Sequence, residues 1–198
     1  MDLLESVRKN LGYEPLKKVD PNSQEVKMQH ELTPEQRFAQ AAIPAVLAGL
    51  IKYADSNEGI NIMTLENASW LNLIFREKES EVIQKVAEYS GSPTEETSDT
   101  MKKIADVSVD VVRENVKKTF DAVKKITDVP MGANKKDAKS DEAEKLRSYM
   151  NSQRHSILNH LPAAMNMGYL LNEEGFDDRT NKMEGPVSSF LHRIENII

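Results

Sequence analysis

Between two helical patterns lies the run Asp55-Ser56-Asn57-Glu58-Gly59-Ile60-Asn61-Ile62-Met63-Thr64-Leu65-Glu66. Its length and its oxygen-bearing residues suit a helix-loop-helix calcium loop. Such loops ligate through positions 1, 3, 5, 7 and 9 and a bidentate glutamate at 12. Asp55, Asn57 and Glu66 fall on positions 1, 3 and 12, Asn61 offers a carbonyl oxygen, and Ile62 takes the apolar eighth position. Two positions break the pattern. Gly59 brings no ligand to the fifth, and Ile60 stands at the sixth, where the sharp turn needs glycine. A helix-ending turn, capped at Gly59 and hydrogen-bonded locally by Asp55 and Asn57, is the competing reading.

The acidic turn Asn172-Glu173-Glu174-Gly175-Phe176-Asp177-Asp178-Arg179 is a second carboxylate cluster. Carboxylates forced together can do acid–base work, whereas acids ahead of a helix also complement its dipole without any chemistry. The histidines are His30, His155, His160 and His192. None forms an i,i+4 pair or a His-Glu-x-x-His motif, and His155 and His160 point in different directions on a helix, so a chelate would need a third element. Nucleophile-elbow, dinucleotide and phosphate-loop patterns are absent. No catalytic residue is assigned and no cofactor is expected. Paired lysines such as Lys102-Lys103 and Lys117-Lys118 interleave with Asp106, Asp110 and Glu114, the pattern of a solvated helix face. Met165 and Met167 suit either core filling or an adaptable groove.

The elements that would position these groups are helical. Leu3, Leu4, Val7 and Leu11 have helical spacing and Gly12 follows as a cap. Residues 13–32 read as a loop with one helical turn near 25–30. Thr33-Pro34-Glu35-Gln36 combines an N-cap, a first-position proline and a capping-box glutamine, so a helix starts there. Pro44 should kink it, and the small residues of Ala45-Val46-Leu47-Ala48-Gly49 suggest a close helix contact. Further helices are expected over 65–76, with Trp70, Leu73 and Ile74 inward, and over 78–89. After Ser92-Pro93-Thr94-Glu95 a long helix should run to about 128, with Met101, Ala105, Val109, Val112, Val116, Phe120 and Val123 as its stripe. Residues 130–136 read as a linker. Beyond it, a helix capped at Ser140 or Asp141 should carry Leu146, Met150, Ile157, Leu161 and Met165, with Pro162 inside it. A last helix should present Val187, Phe190, Leu191, Ile194 and Ile197.

The 198 residues include no cysteine, so disulfides, thiolate nucleophiles and thiolate zinc sites are excluded. That suits the cytoplasm, although a periplasm also tolerates it, and the N-terminus has no secretory h-region. Hydrophobic residues at 39% and charged residues at 29% predict a folded globular chain. A net charge of -6 disfavours nucleic acid as a partner. The apolar run 39–51 is too short to span a bilayer, so no integral membrane segment is expected.

The segments around the two prolines resemble each other. Ile43-Pro44-Ala45-Val46 aligns with Leu161-Pro162-Ala163-Ala164, each after a Gln-Arg pair and before an acidic Glu-Gly turn. The stretch 33–66, centred on Gln40-Ala41-Ala42-Ile43-Pro44-Ala45-Val46-Leu47-Ala48-Gly49-Leu50, also resembles the YidB-like family of bacterial proteins of unknown function, which carries an apolar-Pro-Ala-apolar-apolar-x-Gly-apolar helix. The segment from Leu161 to Gly168, with residues 177–186, is similar to longer Bacteroidetes-type relatives. The resemblance covers about a third of the chain. It implies an all-helical fold and a bacterial origin and carries over no catalytic residue.

The expectation is an all-α bundle of about seven helices, with two proline-kinked helices in pseudo-equivalent halves. It forms a single domain over 1–198, or two packed halves, 1–91 and 92–198, with a flexible segment near 129–140. The expected function is that of a non-enzymatic cytoplasmic interaction protein, self-associating through amphipathic helices. The alternative is a calcium or small-ligand module at 55–66 using Asp55, Asn57, Asn61 and Glu66.

Overall fold

A computed structural model of the chain describes residues 2–20, 26, 31–126 and 135–165, and these are mostly helical, with one isolated bridge between Val19 and Val26. The chain divides into two compact units, Met1–Met165 and Asn166–Ile198, of which the second lies outside the described residues. The helical turn expected near 25–30, the acidic turn at 172–179, His30, His192, Met167 and the final helix with its Val187 stripe also lie outside them.

Helix α1 spans Leu3–Leu11, with the Asp2 side chain accepting from the Glu5 N–H at its start and Gly12 in the left-handed conformation at its end (φ 79°). Helix α2 spans Pro34–Asp55 and opens with the expected capping box, the Thr33 side chain accepting from the Gln36 N–H and the Gln36 side chain from the Thr33 N–H. It is buried almost all round, from Phe38 through Ala54, as befits a helix apolar on every face. Helices α1, α4 (Trp70–Phe75), α5 (Glu79–Ser90), α6 (Thr94–Ile126) and α7 (Lys135–Leu158) all pack on it. The short α3 spans Asn61–Thr64.

Pro44 lies inside α2, and the helix continues through it. The small-residue run does bring helices close: a Cβ added at Gly49 would lie 2.7 Å from Ile74 Cγ2 and from the Phe75 ring. Only a residue without a side chain admits α4 at that distance.

Several boundaries differ from those the sequence suggests. The pattern over 65–76 resolves into α4 and a 3-10 turn at Arg76–Lys78, with Trp70, Leu71 and Phe75 buried and Leu73 and Ile74 half-buried. Helix α7 begins at Lys135, ahead of the expected cap, and ends at Leu158, four residues before Pro162, which leads into a 3-10 turn at Ala163–Met165. Pro162 is therefore not inside a helix, unlike Pro44. The residue before a proline is pushed out of the α region, so the chain leaves the helix ahead of it. In α6, Met101, Ile104, Ala105, Val109, Val112 and Val116 are buried. Its outer face carries exposed ion pairs, Lys102–Asp99 at 3.2 Å and Lys118–Glu114 at 2.6 Å.

Candidate functional site

Residues 55–66 form a turn whose oxygens meet side chains of the protein itself. Asp55, at the C-terminus of α2, accepts from Asn151 Nδ2 at 3.5 Å and attracts the Arg154 guanidinium. Burial lowers the Arg154 pKa from its ordinary value, and the Asp55 carboxylate opposes that shift. Arg147 donates to the Ser56 carbonyl at 3.3 Å, and Arg76 pairs with Glu58 at 3.0 Å. Arg113, reaching over from α6, donates through Nε to the Ile62 carbonyl at 2.6 Å and through Nη2 to the Leu65 carbonyl. Its guanidinium lies 5.3 Å from the Trp70 ring centroid, within cation–π range.

The calcium-pattern residues thus sit in different settings. Asp55 faces α7, Asn61 donates to the Tyr53 hydroxyl at 3.3 Å, and Asn57 and Glu66 are exposed. No three acidic or histidine side chains gather for a metal among the described residues. The Gly59 position has a steric reason: a Cβ there would stand 2.1 Å from the Ala54 carbonyl oxygen.

A second polar constellation surrounds Gln40, which is 2% exposed in the middle of α2. Its Oε1 accepts from the Lys17 N–H at 2.8 Å, and its Nε2 donates to the carbonyls of Lys17 at 2.9 Å and His160 at 2.8 Å. One amide thus pairs with both backbone groups of Lys17 and ties the turn after α7 to α2. The Val19 N–H donates to the Asn159 carbonyl at 2.8 Å beside it. His160, 9% exposed, donates from Nδ1 to the Ser156 carbonyl at 2.7 Å, so its ring serves the turn. His155 is exposed one turn away.

Between residues 147 and 156, α7 makes polar contacts beside its buried Met150. Gln153 Oε1 accepts from the Leu3 N–H at 2.9 Å, and Ser156 Oγ donates to Asp2 Oδ2. Asn115 of α6 donates to the Tyr149 hydroxyl at 2.8 Å. Burial raises the Tyr149 pKa above its ordinary value; the Asn115 hydrogen bond lowers it and the Asp2 charge raises it.

A shallow groove of about 420 Å³ runs between the end of α5 and the start of α6, lined by residues including Ser80, Gln84, Glu88 and Ser92. Glu88 is its one ionisable lining group, so the groove holds no acid–base pair. Asp55, Glu58 and Asn61 of the turn and the polar side chains of the α7 seat make contacts within the chain.

Sequence reasoning missed Gln40 and Arg113 as organising residues. Gln40 had a signal, the lone amide inside the apolar run 39–51, since a polar group in so apolar a helix needs partners. Arg113 had none, because its carbonyl acceptors lie 48 and 51 residues away in sequence. No protein-family model, no curated protein and no solved structure matches this chain.

Proposed function

We propose that this chain is a non-enzymatic cytoplasmic interaction protein that associates with copies of itself through its amphipathic helices. The observation that carries the reading is α6. At 33 residues it is roughly 50 Å long; its stripe from Met101 to Val116 packs within the chain's own core, and the sequence continues the same spacing beyond it at Phe120 and Val123. Long amphipathic helices commonly recognise other helices. The lack of cysteine supports a reducing compartment. Asp55, Asn61 and the carbonyls of residues 56–65 already serve internal contacts, which favours a structural role for that turn over metal capture.

Light scattering behind size exclusion, over a range of concentrations and with or without millimolar calcium, tests this. The expected outcome is an oligomer whose mass ignores calcium. A monomer at every concentration would overturn the reading, and a mass that changes only with calcium would restore residues 55–66 as a metal site.

A further inference from the structure

We infer that α4 is a hinged strap, which lifts off α2 as a unit while the helices around it stay folded. Among the described residues, only Asn67 (φ 54°) and Arg76 (φ 50°) combine a side chain with positive φ, and they stand on either side of α4. Asparagine tolerates the left-handed region. Arginine at φ 50° and ψ -126° takes the conformation of the first central residue of a type II′ turn, a position that favours glycine. Backbone outliers of this kind persist only where the surroundings force them, and they gather at switch regions.

Local sequence and packing also conflict at this joint. The run from Trp70 to Ser90 is helical, holds neither glycine nor proline, and turns to positive φ only at Arg76. Phe75, Lys78 and Glu79 around it keep right-handed dihedrals. Arg76 in the right-handed region would join α4 to α5 as one helix and turn α4 away from its seat. Burial opposes this: Trp70, Leu71 and Phe75 are buried, and Ile74 and Phe75 close on Gly49. The polar contacts at the joint, Asn72 to Glu79 at 2.8 Å and Arg76 to Glu58 at 3.0 Å, are exposed and add little. Local preference and tertiary packing thus pull one residue in opposite senses, the condition for two states.

The chain is anchored outside both hinges. Before Asn67, Arg113 of α6 holds the carbonyls of Ile62 and Leu65. After Arg76, α5 is seated through buried Val82, Ile83 and Val86. The strap therefore lifts between two fixed points, parting the Trp70 ring from the Arg113 guanidinium and uncovering the face of α2 at Gly49. The open state presents the apolar bed of Trp70, Leu71 and Phe75, which the closed chain hides. The lifting needs no second copy.

Two full-length variants isolate the joint, Arg76→Gly and Arg76→Ala. Both lose the ion pair with Glu58, but only glycine relieves the bent backbone and disfavours a straight helix. Circular dichroism checks that each folds. Amide exchange read by mass spectrometry follows residues 67–76, and acrylamide quenching follows Trp70, the chain's single tryptophan. In the parent, 67–76 should exchange by an opening that leaves α2 and α5 protected. Arg76→Gly should open about ten-fold less often than Arg76→Ala, and Trp70 should be quenched less in it. Equal exchange at 67–76 in the two variants would overturn the hinge, and exchange of 67–76 only together with α2 would overturn the strap. An Arg76→Gly chain that fails to fold would count against both, since glycine fits the bend.

Discussion

Helix α2 is flanked by two helices that are held against it in different ways. On α5, Val82, Ile83, Val86 and Ala87 form a continuous buried stripe, joined at the C-terminus by Arg37 donating to the Ser90 carbonyl at 3.3 Å. On α7, Leu146, Met150 and Ile157 are fully buried, but the step between Met150 and Ile157 that an apolar stripe would fill falls at Gln153 and Arg154. Polar contacts enter at that gap, to Leu3 and Asp55. Burial of an apolar side chain stabilises by ~1.5–3 kcal/mol and is indifferent to direction. A hydrogen bond contributes a net ~1 kcal/mol and fixes register. The α5 seam is therefore secured by area and the α7 seam by geometry, and substitutions should separate the two.

No larger effect is expected than that at Gln40. Gln40→Leu preserves volume approximately but leaves the Lys17 N–H and the carbonyls of Lys17 and His160 without their partner. We expect a loss of about 2 kcal/mol, since the buried His160 carbonyl stripped of its partner costs ~1–3 kcal/mol while the part-buried Lys17 groups regain water. Urea unfolding should show a lower midpoint, and amide exchange should accelerate at 146–165 before it does in α5. Equal acceleration on both sides of α2 would break the comparison.

Val86→Ala is the matching change on the other seam. Val86 is fully buried, and removal of two methyl groups with partial collapse of the space should cost about 2 kcal/mol. The loss should be the same in low and high salt, because no charge is involved. A strong salt dependence would mean that the α5 seam relies on polar contacts too.

Tyr149→Phe probes α7 alone, and removal of the hydroxyl from Asn115 should cost about 1 kcal/mol at neutral pH. It also has a pH signature. Because the folded pKa of Tyr149 is raised, with burial as the first cause, the folded state holds its proton more tightly than the unfolded chain does. The contribution is fully present below the unfolded tyrosine value near 10 and is lost as pH rises through the folded value. Stability of the parent should therefore fall more steeply above about pH 10 than that of Tyr149→Phe. Parallel curves from paired chemical denaturation would remove burial of Tyr149 as the cause.

The apolar seams were largely legible in the sequence, and the polar ones were not. Capping at Thr33, the Gly12 cap, the close approach at Gly49 and the stripe of α6 depend on residues within a few positions of one another, where spacing carries the information. The contacts of Gln40 with His160, Arg113 with Ile62 and Gln153 with Leu3 join residues 120, 51 and 150 apart, and no local period encodes them. For the same reason residues 55–66 looked like a ligand loop: the oxygens were visible, while the arginines that occupy several of them come from α6, α7 and the turn after α4. Pro162 shows the complementary failure. Apolar spacing carried the expected helix to Met165, but the backbone restriction ahead of a proline ended it at Leu158.

The smallest predicted change has the opposite sign. Thr97 lies in the first turn of α6, which packs on α5, and it is 1% exposed with a hydroxyl that has no hydrogen-bond partner. Its burial forfeits the hydration it has in the unfolded chain without the return that Gln40 obtains from three backbone groups. Thr97→Val keeps the branched shape and replaces the hydroxyl with a methyl, so it should raise stability by about 0.5–1 kcal/mol. A helix-compatible β-branched shape is conserved, so little of the change arises from propensity. Thermal unfolding of the two proteins side by side measures it. If the valine variant is less stable, a water or a rotated backbone carbonyl meets that hydroxyl in solution, and the region around α5 is more polar than its stripe implies. If it is more stable, the apolar side of α2 gains by losing a polar group while the α7 side loses by it, which is the contrast between the seams at the scale of one atom.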